Sequence, residues 1–239
     1  MSLAERLTIP PDAMRFPARH VVVCGVLTQD GDEIPVVVKK ARRSYRDRFA
    51  PSMAERSYAT AVALRARGIP TPEPLGAEDI GEESWFVARR IEGAEQIRTW
   101  FLRRDDPSRP APTQDVPFAA IVTELGRIAR AMHDSGVHFR DFTDGNILVS
   151  AQGTGFRLWL VDLSRARLSS RPVGFWSRWR DLARPGLNRP EDLKLLLSSY
   201  FGLPDPPPRA LLGVRLLRAR IVFWDELKQR LRPWRRERS

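Results

Sequence analysis

Short apolar runs of strand character dominate the first third of the chain, and helix-spaced apolar residues fill most of the remainder. HVVVCGVL and PVVVKKA are β-rich and are separated by TQDGDEI, whose Asp30-Gly31 pair is a turn signal, so they predict an antiparallel hairpin. From Ser52 to Arg67 the pattern SMAERSYATAVALRAR is helical and Gly68 stops it. Ser52 caps its start, and Glu55, three residues on, completes a capping box. IPTPEPLG predicts an extended Pro-rich passage, and ESWFVARRI predicts another strand that Gly93 ends.

Beyond Gly93 the periodicity changes. Residues 94–104 predict a short helix, and DDPSRPAPTQDVP, with four prolines in thirteen residues, predicts a loop. PFAAIVTELGRIARAMHDSG places Ile121, Leu125, Ile128, Ala129 and Met132 on one helical face. Two short strands follow, NILVS and FRLWLVD. The rest is mainly helical, broken by Pro172, Pro185, Pro190 and the run Pro206 to Pro208. The pattern predicts an α+β chain: a small antiparallel-sheet lobe with one helix over residues 1–92, then a mainly helical lobe over residues 93–239. A cleft between two such lobes is a common ligand site.

Composition narrows the partners. A hydrophobic fraction of 42% in 239 residues supports a real core. The formal net charge of +11 and pI near 10.9 point to a polyanionic partner: nucleic acid, an acidic membrane surface or a phosphorylated substrate. Cys24 is the single cysteine, which excludes an internal disulfide and a zinc cluster of cysteine ligands. The opening MSLAERLTIPPDAMRF lacks the charged start and apolar run of a signal peptide, and no stretch approaches eighteen uninterrupted apolar residues. The expectation is a soluble or surface-associated cytoplasmic protein.

Candidate chemistry concentrates in GVHFRDFTDGNILV and LWLVDL. Asp141 is followed five residues later by Asn146, and sixteen after that Asp162 ends an apolar strand. This is the carboxylate–amide–carboxylate spacing of the phosphoryl-transfer template, in which one Asp takes the proton of the attacking hydroxyl while the Asn and the second Asp hold Mg²⁺. Each residue alone reads as an ordinary surface or turn residue; the three together, flanked by apolar strands, favour the chemistry.

Other signals are weaker singly. VVVKK resembles the strand whose lysine grips the α- and β-phosphates of ATP. Strand alternation lets only one of Lys39 and Lys40 point to the nucleotide; Lys39, directly after three valines, is favoured, although edge lysines that block aggregation look the same. Glu55, the one acid between Ser52 and Gly68, is weighed evenly as the partner of that lysine and as a capping residue. No GxGxxG motif occurs near the amino terminus, so phosphate cover would come from an atypical hairpin around Cys24 and Gly25, unless these glycines only serve turns. His20 and His138 are assigned no chemical task, and no histidine pair has metal-ligand spacing.

Two basic stretches remain. RARLSSRPVGFWSRWRDLARPG interleaves six arginines with Phe175, Trp176 and Trp179, and the segment from Pro208 to Ser239 carries ten Lys or Arg with three large aromatics. Such interleaving suits an anionic lipid surface or phosphorylated glycan, or single-stranded nucleic acid, or a solvated helix face. Nucleic acid ranks low because no recognised binding motif accompanies the charge.

With these residues in place, the chain resembles the lipopolysaccharide kinase family, which phosphorylates Kdo or heptose sugars of the inner core and belongs to the protein-kinase-like superfamily. The resemblance runs roughly from Val36 to Tyr200. It is carried by VVVKKARRSYRDRF, LRARGIPTPEPLG, FVARRIEGAE, AMHDSGV, RDFTDGNILV, LVDLSRARL and RPEDLKLLLSSYFG. It implies a bilobal protein-kinase-like fold and ATP-dependent phosphorylation of a sugar hydroxyl on an anionic glycolipid at the cytoplasmic face of the inner membrane. Asp141 would be the catalytic base, Asn146 and Asp162 the Mg²⁺ ligands, and Lys39 the phosphate lysine. This chain departs from the pattern in three places. Phe139 stands where relatives commonly carry His, Asp162-Leu163-Ser164 replaces DFG, and the helix Glu is expected near Ser57 rather than at Glu55. The alternatives are a small atypical protein or small-molecule kinase, and a catalytically weak pseudokinase serving as a membrane-associated binding module.

Overall fold

One tight turn sets the register of the amino-terminal sheet. Asp30 and Gly31 both take positive φ, 53° and 90°, as a two-residue hairpin turn that matches strand twist requires. The computed structural model describes residues 2–11, 13, 15–16, 21–43 and 50–230; His20, the 44–49 part of the run after Lys39 and the last residues, 231–239, lie outside the described residues. The first elements are α1 (Leu3–Arg6), β1 (Leu7–Thr8) and β2 (Arg15–Phe16), followed by the expected hairpin of β3 (Val21–Gln29) and β4 (Asp32–Arg42). The helix α2 (Met53–Ala66) follows, then β5 (Pro74–Ile80) and β6 (Glu83–Arg89). The antiparallel sheet has the order β1-β3-β4-β6-β5, with β2 also on β3.

Two details differ from the expectations. The Pro-rich passage ends in a strand, β5, which pairs only with β6 at the edge of the sheet, where a proline is tolerated. Gly25 is not in a turn: it sits inside β3, and a Cβ there would lie 2.8 Å from the carbonyl oxygen of Thr8. Its missing side chain lets β1 approach, so it serves packing. One face of the sheet buries Val23, Leu27, Val36, Val38 and Val87, with Leu3, Leu7 and Trp85 partly buried against them.

The remaining elements are β7 (Glu95–Gln96), α3 (Arg98–Asp105), α4 (Phe118–Asp134), β8 (Val137–Phe139), β9 (Ile147–Gln152), β10 (Gly155–Leu160), β11 (Ala166–Leu168), α5 (Phe175–Leu182), α6 (Pro190–Phe201) and α7 (Pro208–Arg230). The chain divides into two compact units. One comprises Met1–Glu95 with Leu148–Ala166, and so includes β10 and most of β9; the other comprises Gln96–Ile147 with Arg167–Ser239.

In the second unit α4 buries Ile121, Leu125, Ile128, Ala129 and Met132, the face expected from its periodicity, together with Val122, Gly126 and His133. It packs against α6 through Gly126, where a Cβ would stand 2.6 Å from the Leu196 carbonyl oxygen and 2.8 Å from Ser199 Cβ. Gly126→Ala is therefore expected to destabilise the protein by about 1–3 kcal/mol, despite the better helix propensity of alanine. Thermal unfolding measures this; an unchanged or raised melting temperature would show that the α4–α6 contact tolerates a methyl group.

Candidate active site

In the first unit the alternation of β4 separates the two lysines. Lys40 shares the face of Val36 and Val38, and its ammonium lies 3.7 Å from the centre of the Trp85 ring. Lys39 shares the face of Val37 and Ala41, and its side chain is only 11% exposed. Its Nζ donates to Oδ1 of Asp162.

Asp162 is held from three directions. Upstream, the end of β10 is clamped: the Leu160 amide donates to the Pro70 carbonyl at 2.9 Å, and Thr71 Oγ1 donates to the Leu160 carbonyl at 2.8 Å. Downstream, a 3-10 turn over Leu163–Arg165 packs against α2 with Leu163 buried. Ser164 Oγ donates to Asp162 Oδ1 at 3.0 Å. Asp162 itself takes a left-handed conformation, φ 57° and ψ 55°. Such a conformation costs energy in a residue with a Cβ and tends to occur where function requires it.

The helix α2 offers Lys39 no carboxylate among these contacts. Glu55 is exposed, and its Oε2 accepts from the Ser52 amide at 2.7 Å while Ser52 Oγ accepts from the Glu55 amide, closing the capping box. Of the two roles weighed for Glu55, this is the one its geometry displays. Ser57, near which a helix Glu was expected, is buried and donates to the Met53 carbonyl at 2.8 Å.

In the second unit Asp141 is half-buried, in a turn whose Phe139 and Phe142 are fully buried and pack edge to face with ring centroids 6.2 Å apart. The turn closes on itself. The Phe142 amide donates to the Phe139 carbonyl at 2.9 Å, and the Thr143 amide donates to the Asp141 carbonyl at 2.7 Å. Asn146 Nδ2 donates to that same Asp141 carbonyl at 2.9 Å. The amide nitrogen is thereby committed to the turn. Asp144 is engaged elsewhere, accepting two bonds from the Arg98 guanidinium at 3.3 Å each.

Sequence reasoning missed Asp181, which anchors this loop. It is fully buried on α5, and its Oδ2 accepts from the Phe139 amide at 3.1 Å, two residues before Asp141. His133 Nε2 lies 3.4 Å from the same oxygen, and His138 Nε2 lies 3.2 Å from Oδ1. His133 Nδ1 meets Tyr200 Oη at 3.1 Å. Asp181 was read as part of a basic surface stretch; its signal was a lone acid between Trp179 and Leu182, both of which are buried. Phe139 fills the core.

The geometry thus pairs Lys39 with Asp162 in one unit and Asp141 with Asn146 in the other, and leaves Glu55 as a cap. A model of the family described as lipopolysaccharide kinase (Kdo/WaaP) matches residues 36–190, well over half of the chain. The chain belongs to the lipopolysaccharide kinase family. It is accordingly an ATP-using phosphotransferase whose acceptor is a sugar hydroxyl of the lipopolysaccharide core, and the alternatives considered above are not favoured. A solved structure titled "WaaP in complex with acyl carrier protein" is 19% identical with a TM-score of 0.56, over 92% of this chain and 88% of that one. That likeness shows the expected α+β protein-kinase-like fold. Comparison with curated protein sequences gives no significant match.

The buried cluster has a pH consequence. Burial, with smaller contributions from Arg178 and His138, holds the His133 pKa below its ordinary 6.5 despite the opposing pull of Asp181. The unfolded chain therefore binds a proton that the native state resists, and stability must fall as pH drops below 6.5 toward the native pKa. Melting temperatures measured across this range should decline with acidity in the wild-type kinase and decline less in His133→Gln. Parallel profiles would refute a neutral buried His133.

Proposed function

We propose that this kinase phosphorylates a lipid-linked inner-core sugar, with Asp141 as catalytic base, Lys39 on the nucleotide phosphates, and Asn146 and Asp162 as ligands of Mg²⁺. The donor set fits that ion. Both ligands offer hard oxygens, and Mg²⁺ usually takes only one or two protein oxygens, completing its shell with water and phosphates. Among the described residues no cluster of three or more His, Cys, Asp or Glu offers a richer metal cage. When bound, Mg²⁺ supplies charge neutralisation on the phosphoryl oxygens.

The chain's own groups would do the rest. Asp141, in a turn anchored by two buried phenylalanines, would orient the sugar hydroxyl and accept its proton. Lys39 would donate to phosphate oxygens, and Ser164 would keep the Asp162 carboxylate turned. The observation that carries the reading is the Lys39–Asp162 contact, a lysine ammonium beside a carboxylate. Glu55 enters only as the cap of α2.

The acceptor would be an anionic glycolipid, and the kinase would work peripherally at the cytoplasmic face of the inner membrane. No helix among the described residues is long and apolar enough to cross a membrane. The basic segments would also suit a protein partner such as the acyl carrier protein held by the structural neighbour.

Transfer of radiolabelled γ-phosphate from ATP to purified core glycolipid tests the assignment. Wild-type kinase should label the glycolipid, and Asp141→Ala should lower kcat by about 10²–10⁴-fold while melting at the same temperature. No labelling by wild type, or undiminished labelling by Asp141→Ala, would overturn it.

A further inference from the structure

The helix α7 is apolar on two opposite sides. Its inner side packs on α5 and α6 and buries Ala210 and Val214, with Gly213 seated on the Trp179 ring. Its outer side leaves Leu212, Leu216 and Phe223 at 59%, 63% and 60% exposure. Positions 212, 216, 219, 223 and 227 follow helical spacing, so Leu212, Leu216, Ala219, Phe223 and Leu227 form one continuous stripe. At 3.6 residues per turn the exposed Arg215 and Arg220 fall on either side of it. The helix carries six cationic side chains against two acidic ones. The segment lies beyond residue 190, where the family match ends.

We propose that this outer face of α7 docks on an anionic lipid bilayer, lying in the plane of the membrane. The chemistry on both sides of the contact matches. Leu and Phe side chains would enter the boundary between headgroups and acyl chains, and the flanking arginines would rest their stems on hydrocarbon and their guanidiniums on lipid phosphates. At 23 residues the helix is about 34 Å long, enough to span several lipid headgroups. A second copy of the chain is disfavoured as the occupant, because it would bring two arginine-flanked stripes together with like charges facing. The contact gives the proposed membrane location a physical site. It stands independently of phosphoryl transfer, since none of these residues belongs to the candidate active site.

Co-sedimentation of the full chain with vesicles tests it. Binding should be stronger, by at least about tenfold, to vesicles of phosphatidylcholine mixed with phosphatidylglycerol than to phosphatidylcholine alone, and it should weaken with salt. Leu216→Glu with Phe223→Glu should reduce binding by at least about tenfold. Arg215→Gln with Arg220→Gln should remove much of the preference for anionic vesicles. Circular dichroism and kinase activity on detergent-dispersed acceptor should be unchanged in both. Equal binding to the two vesicle types, or full binding by the glutamate variant, would overturn the proposal. So would absent vesicle binding combined with a wild-type dimer, or an acyl carrier protein complex, that the same variants dissociate.

Discussion

A lysine on the face of β4 that carries Val37 and Ala41, with its side chain only 11% exposed, requires a counter-charge, because an ammonium removed from water without one is strongly unfavourable. Asp162 provides it, and much of the first unit is arranged to keep it there. The end of β10 is fastened to Pro70 and Thr71, the following turn packs on α2, and Ser164 holds the carboxylate. The left-handed backbone at Asp162 is tolerated only because these contacts over-determine it. On the proposed reading, a carboxylate held in this way would meet the metal and its lysine partner the phosphates.

The second unit solves a different problem. Asp141 sits in a turn, and turns are mobile unless tied down. Here Phe139 and Phe142 pin the turn from the core side, and the buried Asp181 binds the backbone at Phe139. His133 and the Phe139 amide bond Asp181 Oδ2, His138 lies 3.2 Å from Oδ1, and Tyr200 backs His133, so α4, α5 and α6 all bear on the position of one short strand. The Asn146 amide completes the turn from its far end.

Much of this was legible in the sequence. The Asp30-Gly31 turn, the capping box of α2, the α4 face and the Lys39–Lys40 alternation follow from local rules, and the structure obeys them. What was not legible depends on contacts distant in sequence. β5 exists because β6 offers an edge for it. Gly25 makes room for the Thr8 carbonyl. Asp181 looks like one acid in an arginine-rich run until α5 is packed against the loop. The contact of Lys39 with Asp162 likewise joins residues distant in sequence.

The central claim is that Lys39 and Asp162 bind the two halves of a metal–nucleotide complex. Thermal stabilisation by ATP, with and without Mg²⁺, measures this directly, because a ligand bound only by the native state raises the melting temperature by mass action. Wild-type kinase should be stabilised by ATP far more with Mg²⁺ than without. Asp162→Asn should lose the Mg²⁺-dependent part, and Lys39→Met should lose most of the stabilisation under both conditions. Equal shifts with and without Mg²⁺ in the wild type, or an undiminished Mg²⁺-dependent shift in Asp162→Asn, would contradict the account.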